Sequence, residues 1–124
     1  MIAIPILLLI TATVGVGLYM GLRYLRRQRN RPTIIGLHFL LGAFSLEPMV
    51  VTMRGGLGHP AEKLSPLAIA AAVFVALALF SGVTAVMIGR QSRQTANIAL
   101  ASHAGLAAAA FALVMTWGVG ALIR

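Results

Sequence analysis

The sequence has no cysteine, a single tryptophan, and only two acidic residues, Glu47 and Glu62, against ten lysines and arginines. Without cysteine there are no disulfides, thiolate metal sites or iron–sulfur clusters. Only Tyr24 interrupts the arginines of the first basic cluster, and no soluble recognition fold can be built from the rest, so nucleic-acid binding is excluded despite a net charge of +8. No nucleophile–base constellation, phosphate loop or protease-type metal motif is present, which makes a self-sufficient enzyme unexpected and an electron-transfer or accessory subunit the better expectation.

What the chain does have is apolar length. Of its 124 residues 60% are hydrophobic and 10% charged, well above the apolar share of an ordinary soluble domain. A spanning helix needs about 20 largely apolar residues, and four such stretches are read, at about 2–22, 33–53, 66–89 and 97–122. The expected fold is all-α: one polytopic transmembrane domain, 1–124, built as a four-helix bundle in the lipid bilayer. The first stretch carries its arginines after the apolar run rather than before it, so it is read as a retained helix and not as a signal peptide.

Arg23, Arg26, Arg27, Arg29 and Arg31 crowd the first loop, and Arg90 and Arg93 occupy the third. The positive-inside rule puts those loops in the cytoplasm and both termini outside, as expected for an integral protein of a bacterial inner membrane. The arginines also attract anionic headgroups. Helix one offers Gly17 and Gly21 as a small-xxx-small packing face with Gly15 nearby. Helix three, rich in alanine, reads as scaffold. In the second loop, His59 beside Pro60, with Glu62, reads as turn chemistry rather than a metal site.

Laying His38 on His103, a shift of 65 residues, pairs Gly36 with Ala101, Leu41 with Leu106 and Gly42 with Ala107. The same shift carries helix one into helix three. The chain is therefore read as two parallel helical hairpins about an axis along the membrane normal.

Ionisable residues inside spanning helices are costly and usually face the bundle interior with a partner. His38 and His103 are expected about 8 Å and 9 Å into helices two and four from the cytoplasmic side, at 1.5 Å rise per residue. Two neutral imidazoles at matched depth on parallel helices suit one iron of a haem b, bound from opposite sides. Small residues follow each histidine on its face, Gly42 on helix two and Ala107 on helix four, and leave room for a porphyrin. Arg31 and Arg93 lie where propionates would emerge. The candidate cofactor site is thus His38, His103, Gly42, Ala107, Arg31 and Arg93, with the two histidines as metal ligands.

Two helices that each present a histidine within a four-helix bundle resemble the plan of small membrane cytochromes b, including the cytochrome b561-like and respiratory anchor families. The resemblance covers the arrangement and the two histidines. It implies a haem b, electron transfer, exchange with quinone and association with other membrane subunits or with further copies of the chain. Those families often hold two haems on four histidines, whereas this chain supplies one axial pair.

Other readings stay open at this stage. Neutral histidines could bond backbone carbonyls, Ser102 or Ser45 and tie helices together in a haem-free accessory subunit of a respiratory or photosynthetic complex. A chlorophyll-type pigment would take one histidine per ring. Glu47, about 13 Å further along helix two than His38 and on roughly the opposite face, precedes the kink-forming Pro48. It is a proton-transfer candidate for a small proton-coupled transporter, or else it pairs with Arg54 at the outer interface. Small multidrug transporters carry their acid in helix one, and helix one here has none.

Overall fold

A computed structural model describes residues 3–54 and 65–123, and among these the regular structure is four α-helices: α1 (Ala3–Leu25), α2 (Pro32–Met53), α3 (Pro66–Ile88) and α4 (Arg93–Leu122). The loop holding His59 and Glu62 lies outside the described residues. All four helices are long and apolar enough to cross a membrane.

Helix boundaries follow local chemistry. Pro32 and Pro66 open α2 and α3 at the position where a missing N–H costs nothing and a fixed φ helps. Ser65 and Ser92 cap α3 and α4 by accepting from the backbone N–H groups of Ala68 and Thr95. The Ser92 cap explains why α4 starts at Arg93, a turn before the apolar stretch that begins near Asn97. Counted from the helix starts, His38 lies about 9 Å along α2 and His103 about 15 Å along α4, yet their rings meet at one level. After α1, the Gln28 N–H donates to the Arg23 carbonyl and the Arg27 N–H to that of Tyr24. This pair of bonds is a Schellman closure, and it puts Arg27 at φ 59° where glycine is usual.

The helices pack as a ring in chain order, with α4 closing against α1. Among the described residues no Cα of α2 lies within 8 Å of α4, nor any of α1 within 8 Å of α3, so each of these pairs lies on a diagonal of the bundle. The two arginine-bearing turns share one end, where the Tyr24 hydroxyl donates to Asn97 Oδ1 at 2.6 Å and ties α1 to α4. Large apolar side chains such as Leu8, Phe80 and Met87, each about two-thirds exposed or more, cover the outside. An outer surface of that kind suits acyl chains.

The 65-residue shift holds in the packing. Ala3 and Ala68, Ile6 and Ala71, Ile10 and Val75, Thr13 and Ala78, Ser45 and Ala110, and Met49 and Val114 are all buried, and each pair is separated by 65 positions. These residues, with Trp117, concentrate the core in the half of the bundle away from the arginines. In the arginine-bearing half, only Ala85 and Ala96 are buried among the described residues beyond the level of the histidines. Gly15 and Gly21 meet no neighbour within 4 Å, so the glycines of α1 do not form a close helix–helix face within the chain. Gly17 alone is used, and against a side chain. The tightest glycine approach between helices is at Gly118, where an added Cβ would stand 2.7 Å from Leu7 Cδ2.

Candidate functional site: a histidine pair on the bundle diagonal

His38 and His103 stand on the diagonal helices α2 and α4, and their rings meet near the bundle axis, with centroids 6.0 Å apart and planes at 87°. They lie where the packed core gives way to the looser arginine-bearing half, and each is partly exposed.

Each ring is seated by the helix before it in sequence. His38 Nδ1 lies 3.0 Å from the Thr13 carbonyl oxygen, and His103 Nδ1 lies 2.9 Å from that of Ala78. A carbonyl can only accept, so both Nδ1 atoms carry the proton and both Nε2 atoms are left with a free lone pair. Thr13 and Ala78 are themselves 65 residues apart. Under each ring lies a glycine of the same spacing: a Cβ at Gly17 would stand 2.9 Å from His38 Cε1, and one at Gly82 would stand 3.0 Å from His103 Cε1. Carbonyl, glycine and imidazole thus repeat as a unit.

The halves differ in one bond. Ser81 Oγ donates to the Ala78 carbonyl at 2.9 Å and lies 3.1 Å from His103 Nδ1, so it accepts a share of the imidazole proton. Its counterpart under the shift, Val16, has no hydroxyl. Helix α3 is therefore more than scaffold, since it supplies the carbonyl, the hydroxyl and the glycine that fix His103. The expected alternative partners, Ser45 and Ser102, do not serve the histidines, Ser45 bonding instead to the Gly42 carbonyl.

The remaining residues expected at the site fall into two groups. Gly42 is buried one turn beyond His38, where an added Cβ would meet Leu79 and Thr13, and Ala107 packs on the core cluster one turn beyond His103. Both border the histidine level from the packed side. Arg31 and Arg93 are exposed at the arginine-bearing end, and neither guanidinium makes a hydrogen bond or ion pair among the described residues. Glu47 is exposed on the outside of α2, likewise without a bonded partner, so the expected pairing with Arg54 is not formed. Thr13, Gly17, Ala78, Ser81 and Gly82 were not expected at the site, although applying the 65-residue shift to Gly17 leads directly to Gly82.

The donor chemistry limits what the pair can hold. Among the described residues no group of three or more His, Cys, Asp or Glu comes together to hold an ion. A tetrahedral metal that demands four protein ligands is therefore poorly served. A metal that brings its own equatorial nitrogens needs only two axial imidazoles. Ligating histidines also characteristically donate their other N–H to a carbonyl, which fixes tautomer and orientation. The residues present fit a bis-histidine haem.

The chain matches no protein-family model, no curated protein and no solved structure.

Proposed function

We propose that this chain is an integral-membrane b-type haem protein that serves as an electron-transfer subunit, in which His38 and His103 would hold one haem. The observation that carries this reading is the pairing of the imidazoles: both Nδ1 atoms donate to backbone carbonyls, and the two rings meet edge to face across the diagonal with centroids 6.0 Å apart. A histidine pair that only tied helices together would use Nδ1 alone and leave both Nε2 atoms without a role. Ligation uses both.

When bound, the haem supplies one-electron redox chemistry. The protein sets its environment: Thr13 and Ala78 fix the imidazoles, the apolar core excludes water from one side, and Arg31 and Arg93 stand at the end of the bundle where propionates can be paired. The arginine bias supports a cytoplasmic position for that end, both termini outside, and placement in a bacterial inner membrane. The broad apolar exterior accommodates other membrane subunits as well as lipid.

The test is the visible spectrum of the full chain purified from haem-sufficient cells. A Soret band with sharp α and β bands on reduction, lost in both His38→Ala and His103→Ala, is the expected result. A colourless, folded protein would leave the haem-free accessory reading in its place. A magnesium pigment would announce itself by far-red absorption instead.

A further inference from the structure

Several hydroxyls of the spanning helices do what a lone hydroxyl does in an apolar helix: Thr11, Thr13, Ser45, Thr52, Thr84 and Thr116 each donate to a backbone carbonyl one turn earlier. Ser81 makes the same bond, to the Ala78 carbonyl at 2.9 Å. The oxygen held by that bond also lies 3.1 Å from His103 Nδ1, across the α3–α4 contact. The His103 ring N–H therefore has two acceptors, Ser81 Oγ and the Ala78 carbonyl oxygen. In the first hairpin the His38 ring N–H has the Thr13 carbonyl oxygen, at 3.0 Å, and the residue three positions after Thr13 is Val16, which has no hydroxyl to add.

Resting on the haem reading above, we propose that Ser81 is a positioning residue that makes the two imidazoles inequivalent: it fixes the ring plane of His103 and makes His103 Nε2 the stronger electron donor of the pair.

Both effects follow from the second acceptor. A ring held by one bond can swing about it without breaking it, whereas two acceptors on different residues define where the N–H must point. Hydrogen bonding at Nδ1 draws that proton from the ring and raises the basicity of the opposite nitrogen. The Ala78 carbonyl serves the imidazole N–H and the Ser81 O–H together, because its oxygen has two lone pairs. Donating its own hydrogen makes Ser81 Oγ a better acceptor, since linked hydrogen bonds polarise one another. A stronger donor at Nε2 favours the oxidised, more positive state of an iron bound there, so Ser81 lowers the reduction potential, and it acts from one side of the pair alone. The repeat supplies the control: a hydroxyl at position 16 would stand to Thr13 and His38 as Ser81 stands to Ala78 and His103.

Nuclear magnetic resonance of isotopically labelled histidine in the full chain, held in lipid nanodiscs, reads each ring directly. His59→Gln leaves the two histidines of interest, and a haem-bearing sample is recorded in its reduced, diamagnetic state. Ser81→Ala is expected to move the His103 Nδ1–H proton upfield, and Ser81→Thr, which keeps the hydroxyl, to hold it near its original position. Val16→Ser should move the His38 proton downfield. Redox titration of the same variants gives the second readout: Ser81→Ala raises the potential and Val16→Ser lowers it, each changing the oxidised-to-reduced ratio at a fixed applied potential by up to about fivefold, the worth of one ordinary hydrogen bond. The double variant Ser81→Ala, Val16→Ser should return close to wild type. A His103 proton unmoved by Ser81→Ala, or moved equally by Ser81→Thr, would overturn the proposal, as would an unmoved potential in a haem-bearing chain. A colourless chain whose His103 proton moves as expected keeps the role of Ser81 at the ring and removes the haem.

Discussion

The rings of His38 and His103 cross edge to face at 6.0 Å although the helices that carry them share no Cα pair within 8 Å. Two side chains therefore span a diagonal that the backbones leave open, and each is held from behind by a carbonyl 25 residues earlier in the chain. If that contact is an axial ligand pair, neither half is dispensable. Each single replacement, His38→Ala or His103→Ala, is expected to abolish the low-spin six-coordinate spectrum and to lower haem retained on purification by at least the roughly 10–100-fold seen when mere supporting residues of metal sites are lost. Haem content by pyridine haemochrome and the helical circular dichroism of the same samples check this. Survival of the low-spin spectrum in either variant would show that the pair does not ligate together.

The glycines beneath the rings give a subtler test. A methyl group at Gly17 would stand 2.9 Å from His38 Cε1, and one at Gly82 would stand 3.0 Å from His103 Cε1, so in either alanine variant the imidazole must move. The obstructed atom belongs to a side chain that can turn, so the expected damage is to ligand orientation rather than to folding. Gly17→Ala and Gly82→Ala should each preserve helicity while loosening haem retention severalfold, by comparable amounts in the two halves. Haem transfer to apomyoglobin measures the loss. An alanine at Gly21, which faces open space, is the control and should change nothing.

How much of this could be read in advance differs between elements. The four helices were legible because in a bilayer each must satisfy its own backbone, so length and apolarity suffice. The starts of α2 and α3 were marked by Pro32 and Pro66, while the early start of α4 depended on Ser92, a cap outside the apolar stretch. The histidine pair was legible because ionisable groups are rare in such helices. Its seat was not, because Thr13 and Ala78 act through backbone carbonyls that any residue type could supply. Gly17 was visible but attributed to helix packing, since a small-xxx-small spacing does not say whether a helix or an imidazole fills the notch.

Arg27 predicts a stabilising substitution. Its φ of 59° is held by the Gln28 to Arg23 and Arg27 to Tyr24 backbone bonds that end α1. A side chain with a Cβ costs about 1–2 kcal/mol in this region relative to glycine, offset in part by the greater freedom that glycine has in the unfolded chain. Arg27→Gly is therefore expected to raise stability by about 0.5–1 kcal/mol. Equilibrium unfolding in mild detergent reads this change, and Arg26→Gly, at the neighbouring position with negative φ, should lower stability instead.

Glu47 supplies the test of the transporter alternative. A coupling carboxylate belongs inside the bundle or on a water-filled path, where it meets substrate and a partner group. Glu47 is exposed on the outer side of α2, about 9 Å before its end at Met53 by helical rise. It forms no hydrogen bond or ion pair among the described residues. The neutral isostere should accordingly cost little. Glu47→Gln is expected to leave the haem spectrum unchanged and to shift stability by no more than about 0.5 kcal/mol, as at an ordinary surface position. In proteoliposomes carrying a pH gradient, wild type and variant should show the same proton leak. A proton flux present in wild type and lost in Glu47→Gln, with the spectrum intact, would move the protein's central chemistry from the histidine pair to the outer half of α2.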